Sequence, residues 1–217
     1  MYKYIENFLF EQNEKNGEGL QPLFFNGEHV VLEDEDKTKL YIARRDFIIN
    51  DINNINNKKI VDFGCNVGFD GLEFSRNGAN VTFVDVDSNM INLVKFLAIK
   101  EKLNVETINA SYIEFLFKNE QYYDIFFLFS IFSYSSIESC SYLLKIIMDI
   151  TEIAYIDLSP ERKYQPFDIT ERKKFQDETL YKFCNDYLKE YFYDILENDY
   201  SYIIKVSKKK NYFINMC

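Results

Sequence analysis

The chain has no tryptophan and a single histidine, His29, and its four cysteines are scattered. Cys65, Cys140, Cys184 and Cys217 form no CxxC pair and follow no regular spacing. With one histidine beside them they supply no recognisable set of zinc ligands, so no metal site is expected. They also lack the spacing of a disulfide framework, which favours a reducing compartment.

Long apolar runs are absent too. The longest mostly apolar stretch, Tyr123–Phe132, has about half of the ~20 residues that a membrane-spanning helix needs. No leader of basic, then apolar, then small residues begins at Met1, which speaks against secretion. We therefore expect a cytoplasmic protein without a membrane anchor.

Positive charge is in short supply. The 25 Lys and Arg residues face 35 Asp and Glu residues, which gives a net charge of -10 over 217 residues. Such a chain repels phosphate backbones at long range, so nucleic acid is disfavoured as a substrate and a small molecule is favoured. The densest basic run, Lys208-Lys209-Lys210, lies near the C-terminus.

From Lys59 onward, short apolar segments alternate with segments of helical spacing. The pattern predicts strands at 60–63, 80–85, 105–109, 123–129 and 153–158, and helices at 69–76, 88–103, 112–118, 137–150 and 170–190. The near-continuous apolar run at 123–129 is typical of a buried strand in a parallel sheet. This alternation predicts a doubly wound α/β domain.

The two ends of the chain depart from this rhythm. Strands predicted at 191–197 and 202–206 have almost nothing between them, so they must be antiparallel, because parallel neighbours need a long crossover. Residues 1–57 are predicted to form a cap or lid ahead of a domain at 58–217. The expected cap elements are a helix at 2–13, a hairpin around Asn26-Gly27 with strands at 23–25 and 29–32, and a helix containing Leu40 to Ile49.

A glycine-bearing loop joins the first strand of the domain to its first helix. The apolar run Ile60–Phe63 contains Asp62, and Gly64 and Gly68 follow before helical spacing begins. Glycines there permit backbone torsions and close approach that a Cβ would forbid. A strand, a tight turn and a helix start bring main-chain N–H groups and a positive helix end to a ligand.

The run Val61-Asp62-Phe63-Gly64-Cys65-Asn66-Val67-Gly68 resembles motif I of the class I S-adenosylmethionine-dependent methyltransferases. Asp85, at the end of the second strand of the domain, matches that family's ribose-binding acid, and the terminal hairpin matches its antiparallel seventh strand. The resemblance covers roughly Lys59 to Val206. It implies a Rossmann-like, seven-stranded, mostly parallel sheet with helices on both faces, and S-adenosylmethionine as cofactor.

The same resemblance implies a set of cofactor-binding residues, which comprises Arg44, Asp62, Gly64, Cys65, Asn66, Gly68, Asp85, Val86, Ser111, Tyr112 and Ser130. Asp62 would act on the amino end of the methionine portion and Asp85 on the ribose hydroxyls. Asn66 stands where the family usually has glycine. Ser111, with Asn109 as the alternative, takes the place of an acid near the adenine, and Arg44 would contact the methionine carboxylate or the substrate.

A nicotinamide-binding domain is the main structural alternative. Its fingerprint is G-x-G-x-x-G, whereas Asn66 occupies the place of the second glycine here. Asp62 would also repel a pyrophosphate, while S-adenosylmethionine carries a sulfonium and an ammonium. A glycine turn that binds nothing is the remaining alternative.

Candidate catalytic residues follow the later strands. Ser130, Ser133 and Tyr134 are polar residues at the end of the fourth strand, and in many small-molecule members of the family a histidine pair stands where Ser133 and Tyr134 are. Tyr134, Asp157 and Glu161 are the predicted catalytic residues, the two acids as general bases. These features predict methyl transfer to an oxygen or nitrogen of a small molecule, with a protein or RNA methyltransferase, or a non-catalytic binding protein of this fold, as the alternatives.

Overall fold

The computed structural model describes residues 23–25, 28–30, 35–129, 137–157, 178, 180–197 and 202–209. The chain divides into two compact units, Met1–Asn119 and Glu120–Cys217. The helix predicted at 2–13 and residues 170–177 and 179 of the one predicted at 170–190 lie outside the described residues, as do Ser130, Ser133, Tyr134 and Glu161.

The first unit begins with a two-stranded hairpin, β1 (Leu23–Phe25) and β2 (Glu28–Val30), paired antiparallel. The helix α1 (Glu35–Asp51) follows, as the sequence predicted. Alternating strands and helices then run as β3 (Lys59–Phe63), α2 (Phe69–Arg76), β4 (Asn80–Asp85), α3 (Ser88–Glu101), β5 (Val105–Asn109) and α4 (Tyr112–Lys118). β4 pairs in parallel with β3 on one side and with β5 on the other.

Local chemistry fixes where these elements begin and end. Asp87 caps α3, because its carboxylate accepts the Asn89 N–H at 2.8 Å. The same helix ends at Glu101, before the predicted Leu103, because Lys102 adopts a left-handed backbone with φ 57° and its N–H closes the last turn. Ile60, Val61 and Phe83 are buried, so β3 and β4 present apolar surface to the packed helices.

The second unit contains β6 (Tyr123–Leu128), α5 (Ile137–Ile150), β7 (Thr151–Asp157), a helical segment at 180–187, β8 (Tyr191–Glu197) and β9 (Tyr202–Lys208). β6 and β7 are parallel, while β9 runs antiparallel between β7 and β8. The predicted closing hairpin is therefore confirmed. β7 starts earlier than predicted because Thr151 pairs with Tyr123, whose carbonyl accepts its hydroxyl proton at 3.2 Å.

Together the parallel strands and the closing hairpin form a seven-stranded sheet, to which the first unit contributes the order β5-β4-β3 and the second the order β6-β7-β9-β8. This is the mostly parallel, Rossmann-like α/β fold that the sequence predicted. None of the helices in the described residues combines the length and apolar character that crossing a bilayer requires.

Candidate functional site

The loop between β3 and α2 is built from three residues with left-handed backbone conformations. Gly64, Asn66 and Gly68 have φ of 71°, 51° and 76°. Glycine adopts this region freely, and asparagine tolerates it better than most residues. The Gly64 and Cys65 N–H groups donate to the Val84 carbonyl at 2.8 and 3.2 Å, which ties the loop to the end of β4.

Gly68 and Gly71 allow the first turn of α2 to pack closely on the sheet. A Cβ at Gly68 would lie 2.9 Å from Val94 Cγ2, and one at Gly71 would lie 2.4 Å from Phe83 Cε1. Gly64 differs, because within the described part of the chain no other atom lies within 4 Å of the place where its Cβ would be. The loop therefore leaves open space at Gly64.

Asp62, the penultimate residue of β3, is a buried carboxylate at one side of this loop. Its Oδ2 accepts the Gly71 N–H at 3.0 Å. Burial chiefly, and then the neighbouring charge of Asp70, raises the pKa of Asp62 well above its usual range, against the opposing effects of the Gly71 N–H and Arg44. Asp62 therefore holds its proton to higher pH than an exposed aspartate does.

Asp85, the last residue of β4, connects the loop to the start of α3. Its Oδ2 accepts the Asn66 N–H and its Oδ1 the Asp87 N–H, both at 2.9 Å. Burial raises the pKa of Asp85, while those two N–H groups oppose the rise. A carboxylate oxygen can accept more than one hydrogen bond, so Asp85 can also accept hydrogen bonds from hydroxyl groups.

Asp62 on β3 and Asp85 on β4 lie near the ends of paired parallel strands, in which Phe63 is opposite Val84. Both carboxylates act on the same buried thiol, that of Cys65, whose pKa is raised well above its usual value mainly by burial and then by these two charges. The two acids therefore lie at the same edge of the sheet, beside the glycine loop. The raised pKa of Cys65 disfavours its thiolate, the form of cysteine that acts as a nucleophile.

Asn66 connects the loop to Asp85 on β4 and to its own neighbour Val67. Its backbone N–H donates to Asp85, and its side-chain Oδ1 accepts the Val67 N–H at 2.8 Å. The second contact fixes the rotation of the carboxamide, so the amide –NH₂ is held away from Val67. Asn66 itself adopts the left-handed backbone, with φ 51°.

The residues beyond β4 and β5 complete the edge. Val86 is 69% exposed although it is apolar. Asn109 Nδ2 donates to the carbonyls of Asp85 and Val86, both at 2.9 Å. The Ser111 hydroxyl belongs to a capping box of α4, in which it donates to Glu114 Oε2 at 2.9 Å and accepts the Glu114 N–H at 3.3 Å. Tyr112 is half exposed and packs edge-on to Phe63.

Arg44 on α1 forms an ion pair with Asp70 in the first turn of α2. Both side chains are buried. The sequence assigned Arg44 to a ligand carboxylate and gave Asp70 no role. The two residues are 26 positions apart, and no local pattern links them.

Asp157 is the last residue of β7 in the second unit, where it is buried and pairs in register with Ile203 of β9. The other catalytic candidates, Tyr134 and Glu161, and the cofactor candidate Ser130 lie outside the described residues. In the parts of the chain that the structure describes, no group of His, Cys, Asp or Glu side chains has the arrangement of a metal site.

Comparison with known proteins agrees with this geometry. Residues 60–153 match the family model of the methyltransferase domain, whereas a sequence search of curated proteins gives no match. Magnesium protoporphyrin IX methyltransferase from Synechocystis PCC 6803, solved with bound SAM, is 15% identical over 79% of each chain with a TM-score of 0.59. TehB from Haemophilus influenzae is 18% identical over 77% of this chain and 62% of its own, with a TM-score of 0.54.

Monomeric WbdD gives a TM-score of 0.62 at 17% identity, over 90% of this chain and 48% of its own. WbdD is a bifunctional kinase-methyltransferase, and this chain spans less than half of its length. At these identities the solved structures show a shared fold. Residues 60–153 thus match the methyltransferase domain model, and the sheet order is that of the fold shared with these solved structures.

Proposed function

We propose that this protein transfers a methyl group from S-adenosylmethionine to an oxygen or nitrogen of a small-molecule acceptor, such as a sugar or another metabolite. The observation that carries the proposal is the pair of acids, the buried Asp62 and the half-buried Asp85, held by backbone N–H groups on either side of the open loop at Gly64. One structural neighbour acts on a small molecule, magnesium protoporphyrin IX.

The charges around the loop fit this cofactor better than a dinucleotide. The carboxylates of Asp70 and Asp85 both lie close enough to influence that of Asp62, and the guanidinium of Arg44 opposes them there. A negative site attracts a ligand that carries a sulfonium and an ammonium, and it repels a pyrophosphate. The open space at Gly64 admits close approach to the loop backbone.

Each residue at this edge of the sheet would contact a different part of the ligand. Asp85 would accept hydrogen bonds from the ribose hydroxyls, and the Asn66 carboxamide would donate hydrogen bonds to the oxygens of the same two hydroxyls. Asp62 would accept from the amino group of the methionine portion, with its charge favoured by that cation. Gly64, Cys65 and Gly68 would supply the backbone surface of the loop.

Val86 would cover one face of the adenine, because it is apolar and exposed beside Asp85. Asn109 would contact the ring through its carboxamide, and Tyr112 would pack near it. Ser111 remains a candidate for the adenine amine through its hydroxyl oxygen, in competition with its role in the α4 cap. A ligand carboxylate would bind Arg44 either in addition to Asp70 or in its place. Ser130 would line the methyl-transfer side.

When bound, S-adenosylmethionine supplies a methyl group that its sulfonium already activates towards in-line displacement. The chain's own task is to hold the acceptor in line and to exclude water. A nitrogen acceptor needs little more, whereas an alcohol needs a residue to take its proton. Asp157, Tyr134 and Glu161 are the proposed candidates for that step.

Calorimetric titration tests the cofactor. Wild-type protein should bind S-adenosylmethionine and its demethylated product, and should not bind NAD⁺. Asp85→Asn should weaken binding by about ten- to a hundredfold, since one hydrogen bond to a charged group contributes ~1.5–3 kcal/mol. Asp186→Asn, which removes an exposed acid from the second unit, is the charge-matched control and should bind as wild type does. Failure of the wild type to bind either ligand would contradict the proposal and favour a non-catalytic protein.

Labelled methyl transfer tests the acceptor. Wild-type protein is incubated with methyl-labelled S-adenosylmethionine and a cell extract that has been separated by size and treated, in parallel, with nuclease or protease. Label in the small-molecule fraction is the expected result. Label in a protease-sensitive or nuclease-sensitive fraction would instead identify a protein or RNA methyltransferase.

A further inference from the structure

The buried ion pair between α1 and α2 lies beside the cofactor acid. Arg44 is on α1, which precedes the residues that match the methyltransferase domain model. Its guanidinium lies 4.9 Å from the centre of the Tyr41 ring and contacts Asp70 in the first turn of α2. A buried arginine–carboxylate pair is seldom worth its desolvation for stability alone, so its position calls for a role.

The ion pair between Arg44 and Asp70 is connected to Asp62 through Gly71. Asp70 is followed by Gly71, whose N–H donates to Asp62 Oδ2 at 3.0 Å. Because Gly71 packs against Phe83 without room for a Cβ, the first turn of α2 cannot shift without moving this N–H. Arg44, Asp70, Gly71 and Asp62 therefore form one continuous chain of contacts from α1 to the end of β3.

We propose that Arg44 is a positioning residue for Asp62, which acts through Asp70 and the first turn of α2 to hold that carboxylate and its negative charge at the cofactor loop. The inference rests on the proposed function, in which Asp62 receives the amino group of S-adenosylmethionine. It gives α1 a part in cofactor binding that needs no contact between Arg44 and the ligand.

Charges on three elements face Asp62. Asp70 on α2 and Asp85 on β4 raise its pKa, Arg44 on α1 lowers it, and the buried thiol of Cys65 stays neutral beside it. Removal of Arg44 leaves the repulsion of Asp70 uncompensated, so Asp62 should hold its proton to higher pH. Removal of the Asp70 charge should have the opposite effect. A role limited to docking α1 on α2 would give both changes the same sign, since either one breaks the ion pair.

The test compares Arg44→Met, Asp70→Asn and the double variant Arg44→Met/Asp70→Asn with wild type. Lys95→Met is the matched control, because it removes a positive charge from an exposed position of α3. Carbon-13 NMR of the Asp62 carboxyl, assigned with Asp62→Asn, follows its titration without ligand. Calorimetry follows the binding of the demethylated cofactor product across the same acid-to-neutral range, in which the ligand's own amino group keeps its proton.

We expect the Asp62 titration to move to higher pH in Arg44→Met, to lower pH in Asp70→Asn, and back towards wild type in the double variant. At neutral pH Arg44→Met should bind the ligand at least about fivefold more weakly, a typical coupling between linked sites. Lys95→Met should change neither the titration nor the affinity. Shifts of the same sign in the two single variants, or no shift, would overturn the inference.

Two further outcomes are decisive. If the titrations shift as described while the wild type binds no S-adenosylmethionine or product, the proposed function fails and the positioning of Asp62 stands. Decarboxylated S-adenosylmethionine distinguishes a direct contact, since it keeps the amino group and lacks the carboxylate. An equal loss of affinity for both ligands in Arg44→Met supports positioning, and a loss confined to the carboxylate-bearing ligand overturns it.

Discussion

Gly71→Ala should destabilise the protein although alanine is the better helix former. Gly71 lies inside α2, and its added Cβ would lie 2.4 Å from Phe83 Cε1 and 2.6 Å from Asp62 Oδ2. Carbon atoms in contact prefer separations of ~3.5–4.0 Å, so the ring or the helix must move by about an ångström. Phe83 is fully buried on β4, which pairs on both sides, and can give way little.

The expected loss follows from two opposing effects. Overpacking a filled core costs ~1–3 kcal/mol and occasionally more, while replacing glycine in a helix returns up to ~1 kcal/mol. We expect the free energy of unfolding to fall by about 1–3 kcal/mol, with the upper half favoured because a carboxylate oxygen is displaced as well as a ring. In a domain of this size that corresponds to a fall in Tm of ~2–10 °C.

Gly64→Ala is the comparison, because its Cβ meets no atom of the described chain within 4 Å. Its cost comes from the left-handed backbone alone, about 1–2 kcal/mol, but its methyl group would occupy the space proposed for the cofactor. Urea unfolding and calorimetry with S-adenosylmethionine measure both variants. Gly71→Ala as stable as wild type would refute the packing argument, and unchanged affinity in Gly64→Ala would refute the placement of the ligand.

Three other substitutions have defined outcomes. The pKa of Asp62 is raised by burial and by Asp70, so its contribution to stability is present below the unfolded pKa and is lost as pH rises through the folded one. Asp62→Asn should therefore be more stable than wild type above that pKa in urea unfolding, yet bind S-adenosylmethionine more weakly. Ser111→Ala, which breaks the α4 capping box, should lose about 1 kcal/mol in the same assay, and Ser111→Asp should restore most of it. Asn66→Gly keeps the left-handed backbone, so its unfolding free energy should change by less than ~1 kcal/mol while its affinity for S-adenosylmethionine falls several-fold. Unchanged affinity there would remove the carboxamide from the site.

Local patterns were enough to predict the elements around the loop. α2 and β4 have the predicted bounds, because Asn77-Gly78 ends the helix and the residues of β4 between Asn80 and Asp85 form one continuous buried run. The Ser111–Glu114 capping box was also readable as an S-x-x-E pattern, yet the sequence interpretation gave Ser111 to the adenine. In that case the signal was present and the resemblance to a family took precedence over it.

Long-range electrostatics could not be predicted in the same way. Nothing near Arg44 in the sequence indicates that its partner is Asp70, and an arginine on a helix that precedes the motif is as compatible with solvent as with a ligand. The contact depends on how α1 packs on α2, which tertiary structure decides. The sequence therefore predicted the strand, loop and helix of the proposed cofactor site, and the structure was needed to show which charges surround them.

The arrangement of those charges has a consequence for the ligand-free protein. Asp62 is buried beside Asp70 and near Asp85, so in its ionised form it costs free energy that the Gly71 N–H and Arg44 offset only in part. A native fold tolerates such a cost where a ligand cation removes it on binding. In the proposed site, the burial that makes Asp62 expensive in the free protein would also strengthen its attraction for the amino group of S-adenosylmethionine, because the same low dielectric governs both energies. Instability of the free site and affinity for the proposed cofactor would then be two effects of one buried carboxylate.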